Sequence, residues 1–201
     1  MAEPFAAQAP LATAPPEELT TMTWRTAVRP CALSVGVAVA LSLAATPAQA
    51  DCIDVVRSQG RLRDLAPTVS GPFDDARATG VIRSQRGRSV VTFRVRGIDR
   101  AARGETYGAH LHLGPCIAGD PAAALGHYNT DVIEGRTPVR VNDRTEVWLD
   151  FTVQQRGKAR SQAWVPFVPQ PGTRSIVIHA MPTDPSGAAG ARLACLPMEW
   201  T

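Results

Sequence analysis

The chain has 201 residues, 44% of them hydrophobic and 19% charged. That length and composition can bury a real core and fit one globular domain plus an appendage. The formal net charge is +3, and the arginines and the lone Lys158 are scattered along the chain; this excludes a nucleic-acid binder and reads as a solvated basic face.

Residues 1–21 are Ala/Pro-rich and lie upstream of a complete export signal, so they read as an unstructured extension or as sequence before a true start at Met22. Residues 22–50 have the layout of a secretory signal peptide. Arg25 and Arg29 supply the positive end, Cys31 to Ala45 the apolar stretch, and Ala48-Gln49-Ala50 a small-x-small cleavage site. The apolar stretch is too short to span a bilayer. Cys52 follows the site by two positions, but lipidation needs a small residue directly before the cysteine, and Asp51 stands there. The expected product is a soluble, exported protein of residues 51–201, in the periplasm, cell envelope or extracellular space, where disulfides are permitted. It keeps Cys52, Cys116 and Cys195, an odd number, so at most one internal bridge forms, and counting does not decide which.

From there the hydrophobic period is two. Strands are predicted at "RATGVIRSQ" (77–85), "SVVTFRVRG" (89–97), "ETYGAHLHLG" (105–114), "EVWLDFTV" (146–153), "KARSQAWVPF" (158–167), "RSIVIHA" (174–180) and "GARLACL" (190–196), separated by turn-rich pieces. In the second, Val91, Phe93 and Val95 share a face opposite Thr92, Arg94 and Arg96; in the fourth, Val147, Leu149, Phe151 and Val153 oppose Glu146, Trp148, Asp150 and Thr152. No stretch after the signal keeps a 3.6-residue period. Seven or so short strands with Gly/Pro punctuation predict an all-β sandwich or Greek-key barrel, as one domain.

Strand parity also orients the histidines. In "AHLHL", His110 and His112 point away from the face carrying Ala109, Leu111 and Leu113, and in "SIVIHA" His179 opposes Ile176 and Ile178. The histidines are therefore expected on the outer face of a β wall. A His-x-His pair on a strand sets two imidazoles side by side, an arrangement suited to one metal ion. His127, between Gly126 and Tyr128, and the distant His179 complete the protein's histidines. A cupin also uses His-x-His but wants a glutamate a few residues on, where Gly114, Pro115, Cys116, Ile117 and Ala118 stand. A three-histidine zinc hydrolase leaves the fourth histidine unexplained.

"GAHLHLG", "GHYN", "VIHA" and "AGARLAC", in this order and with a cysteine soon after the first, resemble the Cu/Zn superoxide dismutase family over residues 77–196. The resemblance implies an eight-stranded Greek-key β-barrel. It implies that His110, His112, His127 and His179 hold copper, with His127 in the place of the bridging ligand. It implies a Cys116–Cys195 disulfide, and an Arg192 that attracts superoxide beside the metal. The family's zinc site needs further histidines after the bridging one, and none occurs between His127 and His179. The segment 179–192 is also short for the family's substrate-guiding loop. The resemblance is therefore to the copper-only branch, with zinc not expected as a cofactor, and superoxide is the implied substrate. The activity implied is dismutation of superoxide to dioxygen and hydrogen peroxide; the alternative is a copper-binding or structural dismutase-like barrel without turnover. Without zinc, another group should orient His127. Glu146, at the start of a strand on the non-core side, is the expected one, with Asp131, Asp143 and Asp150 as competitors.

Overall fold

A computed structural model describes residues 53–201. The segments read above as an upstream extension and an export signal, with Asp51 and Cys52, lie outside the described residues.

Ten strands run in chain order: β1 (Asp54–Arg61), β2 (Arg63–Asp64), β3 (Arg77–Gln85), β4 (Arg88–Arg96), β5 (Thr106–Tyr107), β6 (Ala109–His112), β7 (Phe151–Thr152), β8 (Lys158–Val165), β9 (Gly172–His179) and β10 (Arg192–Trp200). A single α-helical turn, α1, spans Thr130–Ile133, capped by the Asn129 side chain. Every strand pairing is antiparallel. The order in one four-stranded sheet is β1-β3-β4-β8 and in the other β2-β10-β9-β6, with β5 and β7 forming a two-stranded ladder. The protein is thus all-β, and among the described residues its hydrogen-bonded ladders do not close into one barrel.

Alternation explains the core. Ile82, Val91 and Phe93 from the first sheet meet Leu111, Ile176, Ile178, Leu196 and Met198 from the second in a single buried cluster. Burying each such side chain contributes about 1.5–3 kcal/mol. The sheets pack tightly at Gly80, where an added Cβ would lie 2.7 Å from Met198 Sδ. The tight β3–β4 connection is Arg86-Gly87, with φ of 53° and 73°, the two left-handed residues that a type I′ hairpin turn demands.

Three sequence expectations change in the folded chain. β1 was not predicted, because its mostly exposed residues carry little alternation. Of the strand expected at 146–153, only Phe151–Thr152 is a regular ladder; Glu146 and Trp148 make isolated bridges to Asn129 and His110. Its inward residues Val147, Leu149, Phe151 and Val153 are nevertheless buried as the alternation requires. The face that carries His110 and His112 is not open to solvent. Both are 0% exposed, enclosed by the rings of His127 and His179 and, for His110, by Thr183.

Cys116 and Cys195 form a disulfide across a sequence separation of 79, packed with Leu65, Ala124 and Val177. It ties the loop after β6 to β10. Replacing both cysteines by serine is expected to lower stability by roughly 4 kcal/mol, the loop-closure value for such a ring. Urea unfolding of the variant measures this, and a midpoint unchanged from the parent would contradict it.

Candidate metal centre

β6 presents His110 and His112, and β9 ends on His179; the register sets Ala109 beside Ile178, so all three imidazoles emerge on one side of the second sheet. His127 arrives from the loop that follows β6 and bridges to His112. That loop folds back tightly: Leu113 N–H donates to Gly126 O and Gly114 N–H to Ala124 O. A Cβ on Gly114 would lie 2.1 Å from the Ala123 carbonyl oxygen, so only glycine fits the return. One potential ligand atom from each of His110, His112, His127 and His179 lies within 4.8 Å of the others.

The outward nitrogens fix which lone pairs face inward. His112 Nδ1 donates to Leu125 O at 3.1 Å and His179 Nδ1 donates to Gly190 O at 3.2 Å. A carbonyl only accepts, so both Nε2 atoms are unprotonated, and they face each other at 3.2 Å. The Thr183 hydroxyl donates to Asp150 Oδ1 at 2.6 Å and therefore accepts from His110 Nε2 at 2.7 Å. This leaves His110 Nδ1 buried with no partner. His127 Nδ1 donates to Glu146 Oε2 at 2.9 Å, freeing Nε2. Four lone pairs thus converge with no proton between them. Such a set is repulsive on its own and is satisfied by a cation; neutral imidazoles whose second nitrogens are held by acceptors are what metal sites use.

The surroundings keep the imidazoles neutral. Burial, reinforced by the neighbouring histidines, pushes His110 and His112 down to about 2. Burial likewise pushes His179 down to about 4, against the opposing pull of its bond to Gly190. For Glu146 burial favours the neutral acid, but hydrogen bonds from His127, Trp148 and Asn129 outweigh it and hold the carboxyl below its ordinary value. Both its oxygens are occupied: Oε2 accepts from His127 and Trp148, Oε1 from Asn129.

The expected acceptor of His127 is therefore in contact with it, and the three competitors are engaged elsewhere. Asp131 is locked by Arg140 and Arg136, Asp143 is exposed in the turn before Thr145, and Asp150 serves His110 through Thr183. Arg192 stands beside His179 in the β9–β10 register. Its guanidinium donates to Pro121 O and Leu125 O, so the carbonyl that orients His112 also anchors Arg192. With His127 and His179 it lines the depression that leads to the cluster. The Thr183–Asp150 relay, Asn129 and Trp148 were not read from the sequence as site residues. Asn129 stood inside the "GHYN" motif and was the one with a visible signal.

Replacing Glu146 by alanine is expected to weaken metal affinity 10- to 100-fold, roughly the cost of losing a ligand's outer partner. Competition with a chelator measures it, and an unchanged affinity would reduce Glu146 to a strand-end carboxylate.

No family model matches this sequence, and no curated protein matches it significantly.

Proposed function

We propose that this protein is an exported, copper-dependent superoxide dismutase of the copper-only kind. The observation that carries the reading is the convergence of four unprotonated imidazole nitrogens, each with its second nitrogen held by an acceptor. Imidazole sets of this kind suit copper. Copper held there would supply the one-electron chemistry, Cu(II) accepting an electron from one superoxide and Cu(I) giving it to the next, with dioxygen and hydrogen peroxide as products.

The chain's own residues supply the rest. His127 is the least buried of the four, its side chain 18% exposed, and its Nδ1–H stays fixed on Glu146. Its Nε2 is thus the atom placed to take up a proton and return it to product, a role imidazole suits. Arg192, at the mouth of the depression, offers positive charge to a small anion and keeps the 121–125 loop in place. All four histidines of the sequence belong to this one cluster, so no imidazole is left to build a second site for zinc. On the same reading the two sheets belong to a dismutase-like Greek-key barrel.

Purified protein offered copper and zinc together is expected to retain about one copper and no tightly held zinc, and to dismutate superoxide. Copper-loaded protein without turnover would leave a copper-binding domain instead, and stoichiometric zinc at a second site would overturn the copper-only assignment. Arg192→Ala is expected to slow turnover and flatten its salt dependence; an unchanged rate would remove Arg192 from substrate attraction.

A further inference from the structure

The basic residues are scattered along the chain but not in space. The outward positions of the first sheet form cross-strand rows. Arg61, Arg77, Arg96 and Lys158 are consecutive neighbours in one row, and Gln59, Thr79, Arg94 and Arg160 in the next. Arg57 and Arg83 extend the same face further along β1 and β3. Arg61 pairs with Asp75; Arg77, Arg83, Arg94, Arg96, Lys158 and Arg160 are exposed and have no carboxylate partner among the described residues. Like charges directly opposite in a sheet are destabilising, so this face lowers the stability of the free protein. At ordinary strand spacings the cationic area is roughly 15 by 20 Å.

The other end of the same face sets apolar side chains among further arginines, Arg83 and Arg88. The row that contains Arg83 runs from Val55 through Val90 to Trp164. Trp164 is 73% exposed and Ile53, the residue just before β1, is 56% exposed. An exposed indole beside arginines is the pairing that serves a membrane interface, where the ring sits at headgroup depth and the guanidinium groups grip phosphates.

We propose that the outer face of the β1-β3-β4-β8 sheet docks on an anionic phospholipid membrane, with the arginine rows on the headgroup phosphates and Trp164 at the headgroup boundary. A bilayer offers phosphate and apolar surface together over a broad flat area, as this face requires. A nucleic acid or sulfated polysaccharide answers only the charge, and the disulfide fits an oxidising compartment where nucleic acid is scarce. The face shares no lining residue with the histidine depression, so docking leaves the metal centre open, and the inference does not depend on the reaction proposed above.

The full chain is mixed with vesicles of phosphatidylcholine alone and of phosphatidylcholine with phosphatidylglycerol, and bound protein is separated by flotation. Because Arg25 and Arg29 beside the apolar stretch 31–45 also favour anionic lipid, the sheet's own contribution is read from the triple variant below. Binding is expected to be at least about 100-fold tighter to the anionic vesicles, roughly the strength several arginines supply. It should be lost when salt is raised from 0.15 to 1 M, which shortens the Debye length from about 8 to about 3 Å. The triple variant R94S/R96S/R160S is expected to bind anionic vesicles about 100-fold more weakly. Its near-UV circular dichroism should be unchanged and its Tm equal or higher, because opposed like charges are removed. Trp164→Phe should abolish the blue shift of fluorescence on binding. Equal binding to both vesicle types, undiminished binding by the triple variant, or a preference for duplex DNA or heparin over anionic vesicles would each overturn the proposal.

Discussion

On the function proposed above, His179→Ala is expected to abolish dismutation and to weaken copper binding by more than the roughly 100-fold that loss of an outer partner costs. The expectation has an unusual companion in the metal-free protein. His112 Nε2 and His179 Nε2 face each other at 3.2 Å, both unprotonated, so removing one relieves a repulsion. The metal-free variant should unfold at the same Tm as the parent or higher, whereas the rise in Tm that copper gives the parent should disappear. His110→Ala should likewise lose activity, since it deletes the buried Nδ1 that has no partner. Calorimetry with and without copper separates these effects from simple misfolding. A variant that keeps copper-dependent stabilisation and turnover would remove His179 from the metal set.

Mild acid should unfold the metal-free protein. A free histidine titrates near 6.5, whereas in the folded chain His110 and His112 are pushed to about 2 and His179 to about 4, each mainly by burial. Above pH 6.5 neither the folded nor the unfolded state protonates them, and they add no pH dependence. Below it the unfolded state takes up protons that the folded state refuses, so stability falls with pH. The slope is about 1.4 kcal/mol per pH unit for each histidine, approaching about 4 for the three together. The contribution of His179 levels off near pH 4, while the other two continue lower. Against the 5–15 kcal/mol typical of a domain, the metal-free protein should lose most of its stability between about pH 6.5 and 4. Copper, which binds only the neutral imidazoles, should move the transition to lower pH. Urea unfolding at pH 7, 6 and 5 tests the sign, and a midpoint independent of pH would show that the histidines are accessible to protons when folded.

The way these histidines are held shows how far the sequence could be read. Alternation in "AHLHL" places His110 and His112 opposite Leu111 because a strand has a period of two whatever it pairs with. The same rule separates His179 from Ile178, and a carboxylate at the start of the next predicted strand was the natural acceptor for His127. What alternation could not show is that this side of the wall is covered. Burial of His110 depends on His127, His179 and Thr183, brought to β6 from elsewhere in the chain, and its link to Asp150 runs through Thr183 in a loop with no periodicity. Closure of a barrel was equally beyond local pattern, and the ladders form two separate four-stranded sheets and a short third pair.

The basic face shows the same division. Each strand's arginines alternate visibly, at Arg77 and Arg83 or at Arg94 and Arg96, yet read along the chain they look dispersed. Local sequence determined most of the strands, their inward and outward faces, the buried aliphatic set and the residue types able to hold a metal, because these follow from side-chain period and chemistry; it missed β1, whose exposed residues alternate weakly. Tertiary structure alone decided which rows became neighbours. Register between strands distant in sequence is set by packing of the whole core. That packing brought His112 Nε2 to His179 Nε2 and placed Arg96 between Arg77 and Lys158.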